Sequence, residues 1–462
     1  MKKLVALLSI MLVVPVFGST SFNLDSFNSL SLNSLHPADL DPLTDLGIHV
    51  SIERARKIIV DEEPSFSFKI TVNGQTWGSD TFHGYDILSP CNAYFDIPDD
   101  KEEINILIVL LENGEEADIS ANGKSLSIVY DVKTGGWNGD DFRGDISGYG
   151  HSGGHEDGVI DNEDYEIWFD IIQNDYDGDG LTYWEETNVY HTDPMQSDYG
   201  KDYDNDGIPI EWEDKWGYNP FSYDGHSKLD PDYDGLQNTE EYMMSNWFAD
   251  PLRQDIFIEV DCMVPSPSGV KHEMPEESIQ MLYSAFTRHN IMLLLDTGNM
   301  GGSDEIPYDE SLNWDELKEI YEKYFLHNDQ KNPRKGIFHY AIICHEIIFW
   351  RRPAGGMNFR RDAFVLGSAY IQKWRPWEKG MKISHASLFM HELGHSLGLN
   401  DYIGIDNERT RFPWQLQYWL FGNYKSCMNY RYAFKLIDYS DGSHGFLDHD
   451  DWGSLDLQRF ER

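Results

Sequence analysis

Alternating and β-branched hydrophobic runs dominate the first third of the chain and predict β-strands. The runs are residues 48–52, 66–72, 104–111, 127–130 and 165–171. Two of them are followed by Asn73-Gly74 and Asn113-Gly114, which are typical of tight turns. The segment 104–111 is almost continuously apolar, as expected of a strand in the centre of a sheet. Residues 43–173 are therefore predicted to form an antiparallel β-sandwich.

A glycine- and aspartate-rich insertion, residues 135–164, interrupts this pattern before the last predicted strand. Its carboxylates could hold Ca²⁺, or the segment could be a solvated loop, and both interpretations stay open. The candidate ligands are Asp140, Asp141, Asp145, Asp157 and Asp161. In outline the whole segment resembles a C2-type sandwich.

The last part of the chain, residues 253–462, changes to an α/β pattern. Predicted strands are residues 256–260, 291–295, 336–344 and 363–371. Predicted helices are residues 276–288, 314–325 and 384–398. This order predicts a mixed sheet that is followed by one long helix.

The predicted helix 384–398 carries His391-Glu392-Leu393-Gly394-His395. Two histidines four residues apart project from one helix face, which suits two imidazole ligands on one Zn²⁺ with Glu392 beside the open position. Gly398 follows where a helix that ends sharply needs a positive φ angle. The chain can then turn and deliver Asp401 as a third ligand, although Asp406 or a histidine near the C-terminus could complete the site instead.

These residues resemble the metzincin zinc endopeptidases, whose pattern is H-E-x-x-H-x-x-G-x-x-H followed by a Met-turn. Aspartate at position 401 stands where that pattern usually has a third histidine. Ser426-Cys427-Met428-Asn429-Tyr430 resembles the Met-turn, in which Met428 forms a hydrophobic floor. A thermolysin-like site would instead need a ligand glutamate on a later helix, and Glu408 lies too near in a polar stretch.

The resemblance implies an activity and a role for each residue. Glu392 is expected to act as the general base on water, and Tyr430 to hydrogen-bond the tetrahedral oxyanion. The strand 363–371 is a candidate for the sheet edge that pairs with an extended substrate, or it is an ordinary core strand. His345, which precedes Glu346, is expected to be structural.

Between the two patterns, three twelve-residue loops start 27 and 28 residues apart. Each has aspartate at positions 1, 3 and 5, glycine at position 6 and glutamate at position 12, as in Ca²⁺-binding loops. The carboxylates are Asp175, Asp177, Asp179 and Glu186 in the first loop, Asp202, Asp204, Asp206 and Glu213 in the second, and Asp230, Asp232, Asp234 and Glu241 in the third. Residues 174–252 resemble thrombospondin type 3 calcium repeats.

A second repeated feature supports the same register. Asp193-Pro194, Asn219-Pro220 and Asp250-Pro251 are each followed, four residues after the proline, by Asp198, Asp224 and Asp255. Residues 174–255 contain 21 Asp and Glu against 4 Lys and Arg, so their repulsion favours bound cations. The net charge of −44 argues against a nucleic-acid partner.

The beginning of the chain predicts export. Two lysines precede an apolar run and small residues, so residues 1–18 are predicted to be a signal peptide and 19–42 a linker or propeptide. We expect no transmembrane segment once the signal is removed. Four cysteines, Cys91, Cys262, Cys344 and Cys427, are too few for a disulfide scaffold and could be thiols or form one or two bridges.

The predicted architecture is multidomain: an all-β sandwich, then calcium-binding loop repeats, then an α/β metzincin-like catalytic domain with a mixed sheet and an active-site helix. The expected function is that of a secreted or cell-surface zinc endopeptidase, stabilised by calcium, that cleaves proteins or peptides. The sandwich could associate with the cell envelope. The alternative is a calcium-binding adhesion or scaffold protein of the envelope whose protease domain is catalytically degenerate.

Overall fold

A computed structural model of the protein describes residues 45–59, 62–133, 135–141, 148–349 and 352–460. The chain divides into two compact units. The first comprises residues up to Leu229 together with Glu241–Ala249, and the second comprises Asp230–Glu240 together with Asp250–Arg462. The predicted signal peptide, the predicted linker and the candidate ligand Asp145 lie outside the described residues.

The first unit contains eleven described strands that form an antiparallel β-sandwich. They are β1 (Leu46–Lys57), β2 (Ser65–Val72), β3 (Gln75–Gly78), β4 (Phe82–His83), β5 (Asp86–Ile97), β6 (Glu103–Glu112), β7 (Glu115–Glu116), β8 (Leu126–Asp131), β9 (Trp137–Gly139), β10 (Gly150–Gly153) and β11 (Tyr165–Gln173). The predicted sandwich is confirmed.

Two sheets make up this sandwich. One has the strand order β10-β11-β1-β5, and the other has the order β3-β2-β6-β8-β9 with β4 on β2 and β7 on β6. Residues of β2 alternate between buried and accessible positions, which places Phe66, Phe68, Ile70 and Val72 in the core between the sheets. Strand β6 lies between β2 and β8, so the prediction of a central strand is confirmed.

The predicted turns and the insertion can be compared directly with the structure. Asn73-Gly74 joins β2 to β3 and Asn113-Gly114 joins β6 to β7, with positive φ at all four residues, as a two-residue hairpin turn requires. The described aspartates of the insertion accept local hydrogen bonds that shape the loop, and those bonds come from the backbone N–H groups of Ser127, His151, Val159 and Glu163.

In each acidic repeat a short helix begins within the last four positions of the twelve-residue loop. These are α1 (Tyr183–Glu185), α2 (Ile210–Lys215) and α3 (Asn238–Met244). Helix α1 begins with a capping box, in which the Thr182 hydroxyl accepts from the Glu185 N–H and the Glu185 carboxylate accepts from the Thr182 N–H. Each repeat therefore pairs a carboxylate loop with a helical turn.

The second unit is built on a mostly parallel sheet. The strands of that sheet are β12 (Asp255–Met263), β13 (Met292–Asp296), β14 (Glu305–Ile306), β15 (Phe338–Cys344), β18 (Gly356–Arg360) and β19 (Ala363–Gly367), and β16 (Ile347–Phe349) and β17 (Arg352–Ala354) form a separate two-stranded antiparallel sheet. Its helices are α4 (Glu276–Thr287), α5 (Trp314–Ile320), α6 (Ser368–Trp374), α7 (Glu378–Ser396) and α8 (Leu416–Leu420).

The sheet order is β13-β12-β15-β19-β18, in which β18 alone on this path runs antiparallel to its neighbour. Of the two alternatives for residues 363–371, the structure contradicts the substrate-binding edge and agrees with an ordinary core strand. Residues Ala363–Gly367 form β19 inside the sheet, between β15 and β18, and the chain then enters α6. Within the described residues, the last strand on this side is β18.

Helix α7 packs across this sheet together with α4. Leu388, Phe389, Met390 and Leu393 of α7 join a core with Ile258, Ile343 and Phe364 from the strands. The long helix that carries the histidines is therefore fixed by these apolar contacts.

All four cysteines are free thiols, and burial raises the pKa of Cys91 to about 12, so that thiol is held protonated.

Candidate metal centre

The last turns of α7 place His391 and His395 side by side. Both side chains are buried, and their ring centroids are 5.0 Å apart, as expected of residues one helical turn apart. The helix ends directly afterwards, and Gly398 has a φ of 97°, which confirms the predicted sharp exit. The sequence pattern therefore produces two converging imidazoles in a protein interior.

The orientation of each imidazole is set by a backbone carbonyl. Nδ1 of His391 lies 2.8 Å from the oxygen of Cys427, and Nδ1 of His395 lies 2.9 Å from the oxygen of Leu399. Because a carbonyl oxygen only accepts, Nδ1 carries the hydrogen in both rings. This leaves Nε2 of each ring as the atom that can bind a metal ion.

Asp406 lies opposite both rings. Its Oδ1 is 3.0 Å from Nε2 of His391, and its Oδ2 is 3.2 Å from Nε2 of His395. The structure thus brings together His391, His395 and Asp406. Asp401, the expected third ligand, is exposed, and none of the contacts made by the described residues joins it to either imidazole.

The reason for this placement lies in the loop after α7. Asp406 has a φ of 51°, and its backbone N–H donates to the oxygen of Met428. Aspartate tolerates this left-handed conformation better than most residues. The carboxylate that faces the histidines is therefore that of Asp406, five residues after the predicted ligand Asp401.

Four electron-rich atoms now face one another, because two imidazole nitrogens meet two carboxylate oxygens. Such a group is stable only with positive charge at its centre, supplied by protons on the rings or by a divalent cation. Burial opposes protonation of His391, but the neighbouring Asp406 and Glu392 outweigh it and raise its pKa to about 9. Two nitrogens and a carboxylate are also a common donor set for a catalytic metal.

Glu392 lies next to this group on α7 and is held by the edge of the sheet. Its carboxyl group is buried, and burial raises its pKa, although the two histidines lower it and the backbone of Asn358 hydrogen-bonds the carboxylate. Gly356 of β18 faces the same side chain, because a Cβ at Gly356 would come within 2.7 Å of Cγ of Glu392. The glycine leaves the space that this carboxylate occupies.

The segment resembling a Met-turn lies directly below. Met428 is fully buried, and its sulfur packs so close to Gly394 that a Cβ there would come within 2.7 Å of it. The carbonyl of Cys427 holds His391 and the carbonyl of Met428 holds Asp406, so this turn positions two members of the group. The segment around Met428 thus also positions two of the candidate metal ligands.

Tyr430 flanks the group. Its ring stacks on that of His391 at a centroid distance of 5.8 Å, and burial together with a hydrogen bond to Asp406 raises the pKa of its hydroxyl. The phenol therefore remains protonated and is able to donate a hydrogen bond. The Asp406 side chain is 46% exposed, so the site is open to solvent beside these residues.

Glu408 and His345 do not belong to the group formed by the two histidines of α7 and Asp406. Glu408 pairs with Arg411 at 3.3 Å on the surface, and its carboxylate is mostly exposed. Nδ1 of His345 lies 3.0 Å from Nε2 of His272, which agrees with a structural role.

The carboxylate loops share one internal geometry. In all three, the aspartate at position 1 accepts from the N–H of the glycine at position 6, and the aspartate at position 5 accepts from the N–H at position 7. Gly180, Gly207 and Gly235 at position 6 have φ angles of 95°, 103° and 98°. The carboxylates of Asp175, Asp177 and Asp179 converge, as do those of Asp202, Asp204 and Asp206.

The glutamates at position 12 are all buried, although the loops do not belong to one unit. Glu186 and Glu213 lie in the first unit with their loops, whereas Glu241 lies in the first unit and Asp230, Asp232 and Asp234 in the second. Burial and the nearby Asp179 and Asp177 raise the pKa of Glu186 to about 9. A buried carboxyl group among other carboxylates favours either protonation or a bound cation.

The residues that sequence reasoning missed have weak local signals. The sequence offers Asp406 only as a substitute ligand, Asn358 and Gly356 lie on a short strand without a clear sequence pattern, and no motif marks His226. A glycine followed two residues later by a possible αL aspartate, as in Gly404-Ile405-Asp406, is the signal that could have favoured the later carboxylate.

Comparisons with known proteins yield only distant structural likenesses. No protein-family model matches the chain, and no curated protein matches it. Solved structures that align include one of Extended-Synaptotagmin 2 with its SMP domain and two C2 domains (12% identity, 34% of this chain, 29% of that chain, TM-score 0.19). Others are "L. pealei PLC21" (15%, 30%, 17%, 0.19) and a "C2 domain-containing protein from putative elicitor-responsive gene" (12%, 27%, 85%, 0.16).

The chain thus spans less than a third of the length of the first two of these structures. TM-scores of this size carry no argument about activity or ligands. Separately, no helix within the described residues is both long and apolar enough to cross a bilayer.

Proposed function

We propose that this protein is a zinc-dependent endopeptidase of metzincin type that works outside the cell. The observation that carries the proposal is the carboxylate of Asp406, whose two oxygens face Nε2 of His391 and Nε2 of His395 at 3.0 and 3.2 Å. Both rings are buried and anchored through Nδ1, as zinc-ligating histidines usually are.

The donor set fits Zn²⁺, with His391, His395 and Asp406 as its ligands. When bound, zinc supplies Lewis-acid activation of water and of a carbonyl group. In this proposal Glu392 takes a proton from the attacking water and returns it to the leaving amine, and the pKa of Glu392, which burial raises, supports such a role. The protonated hydroxyl of Tyr430, which hydrogen-bonds Asp406 in the structure, would donate toward the oxygen that becomes negatively charged.

The edge strand β18 supports a peptide as the substrate. It is half-buried, pairs with β19 on one side, and carries the backbone that hydrogen-bonds Glu392. An extended peptide that pairs with the other side of β18 would run past the catalytic carboxylate. In this pairing the scissile bond would come close to Glu392 and to the histidine pair.

We propose calcium for the first and third carboxylate loops, in the manner of thrombospondin type 3 repeats. In the first loop, neither carboxylate oxygen of Asp177 accepts a hydrogen bond from the described residues, and both are buried beside Asp175 and Asp179. Oxygen donors at this density, with a glycine turn between them, are typical of Ca²⁺ sites. The cation would remove the repulsion within the loop.

Zinc content and casein hydrolysis, measured on the full chain with calcium present, test the peptidase proposal. The wild type should hold zinc and cleave casein, and Glu392→Gln should hold the same zinc while losing about 10²- to 10⁴-fold in turnover. Near-normal turnover in the variant would refute the role of Glu392. A zinc-loaded wild type without proteolysis would favour the scaffold alternative.

A further inference from the structure

We propose that the second carboxylate loop binds a transition-metal ion such as Zn²⁺ through His226, Asp206 and Glu213, and so differs from its two neighbours. Nε2 of His226 lies 3.5 Å from Oδ2 of Asp206 and 3.5 Å from Oε1 of Glu213. The three side chains belong to one group that could hold an ion. All three belong to the first unit, whereas the proposed catalytic residues belong to the second.

The three loops differ in the partner of Oδ2 of the aspartate at position 5. In the first loop, Oδ2 of Asp179 accepts from the backbone N–H of Asp198 at 2.7 Å, and in the third, Oδ2 of Asp234 accepts from that of Asp255 at 2.8 Å. In the second loop, the equivalent oxygen of Asp206 faces the His226 ring instead. An imidazole nitrogen thus replaces a backbone amide at the same place in the repeat.

The orientation of His226 suits a metal ligand. Its Nδ1 lies 2.8 Å from Oδ1 of Asp224, so that a carboxylate holds the far side of the ring while Nε2 faces the loop. The ring also stacks on Tyr218 with a centroid distance of 4.4 Å. A carboxylate behind the imidazole that fixes its tautomer is the common arrangement around metal-bound histidines.

The carboxylates of Glu213 and Asp206 have buried oxygens that accept no hydrogen bond from the described residues. Glu213 is completely buried, and neither of its oxygens accepts a hydrogen bond from any described residue. The Asp206 side chain is also inaccessible to solvent, and its Oδ2 accepts no hydrogen bond from any described residue. Two buried carboxylate oxygens that converge on an imidazole nitrogen form a mixed nitrogen and oxygen donor set. That set suits zinc and similar ions, whereas Ca²⁺ prefers oxygen ligands alone.

Metal content measured in excess calcium tests this assignment. We compare the full-length wild type with His226→Asn, which can keep a hydrogen bond to Asp224 but lacks Nε2. The matched control is His191→Asn, because His191 is an exposed residue of the preceding repeat whose φ of 59° asparagine tolerates. After equilibration with zinc and gel filtration, His226→Asn should hold one zinc fewer than both other proteins.

The proposal is overturned if His226→Asn holds as much zinc as the wild type, which would indicate that His226 only packs beside the carboxylates and binds no metal. The difference of one zinc does not depend on the catalytic site, so a failure of the peptidase proposal would remain distinguishable. If His226→Asn does not fold, zinc X-ray absorption of H391N/H395N replaces it. Scattering from one imidazole per zinc supports the assignment, and an all-oxygen shell or loss of zinc refutes it.

Discussion

Gly356 lies against the side chain of Glu392, so close that a Cβ on the glycine would come within 2.7 Å of the glutamate Cγ. The glycine is on the edge strand β18 and the glutamate is on helix α7. The absence of one side chain on the strand therefore determines where the proposed general base can lie.

Gly356→Ala should displace Glu392 and reduce casein turnover by about 10²-fold, since small misplacement of a catalytic group has effects of this size. Zinc content should be unchanged, because the ligands lie on other residues. Gly78→Ala in β3 is the control, as its nearest neighbouring atom is 4.0 Å from the added Cβ. Full activity in Gly356→Ala would show that Glu392 tolerates displacement or is not the base.

Asp406→Ala should lose zinc by at least about 10²-fold in affinity, because it removes the only carboxylate that faces both imidazoles among the described residues. Asp401→Ala should retain zinc and activity, since Asp401 is exposed and both imidazoles face Asp406 instead. Zinc titration against a chromogenic chelator measures both variants. The reverse result would return the third ligand to Asp401.

Tyr430→Phe should keep stoichiometric zinc and lower kcat by about 10- to 10³-fold with a smaller change in KM, as expected when a hydrogen bond to a developing oxyanion is lost. Tyr432→Phe serves as the control, because its hydroxyl donates to the backbone oxygen of Gly422 instead. Equal kinetics for the two variants would remove Tyr430 from the mechanism.

Without calcium, the first loop should make the protein less stable as the pH rises. Burial raises the pKa of Asp175 and Asp177 to about 7, and of Glu186 to about 9, compared with ordinary values of 3.8 and 4.5. The folded state thus binds more protons than the unfolded state between these limits, and stability falls with increasing pH there. In EDTA, the Tm should be at least about 5 °C higher near pH 5 than near pH 8.

Calcium should reverse this trend, because it binds the ionised carboxylates and stabilises the folded state most at high pH. Thermal melting monitored by circular dichroism, with EDTA and with excess calcium, gives both curves. Asp177→Asn should weaken both effects, and Asp80→Asn on the exposed surface of the sandwich should leave them unchanged. Identical curves with and without calcium would contradict cation binding by the loops.

Periodicity and spacing predicted much of this structure. The two-residue turns, the central strand β6, the helix with both histidines and the exit at Gly398 follow from local sequence, because each depends on a few adjacent residues. The position of Asp406 beside the two histidines does not follow from local sequence, since the conformation of the loop between Gly398 and Asp406 decides which carboxylate lies against the imidazoles. Strand order does not follow from local sequence either, so the sequence leaves open whether β19 is an edge strand or a core strand.

The hydrogen bond from Asp255 to Asp234 has a consequence for how the second unit is assembled. Asp255 is the first residue of β12, and β12 lies between β13 and β15 in the sheet. With an ion bound, the third loop holds the starting point of this strand in place, so that occupancy of the loop favours the correct alignment of its neighbours. Calcium would then favour assembly of the unit that carries the proposed proteolytic centre.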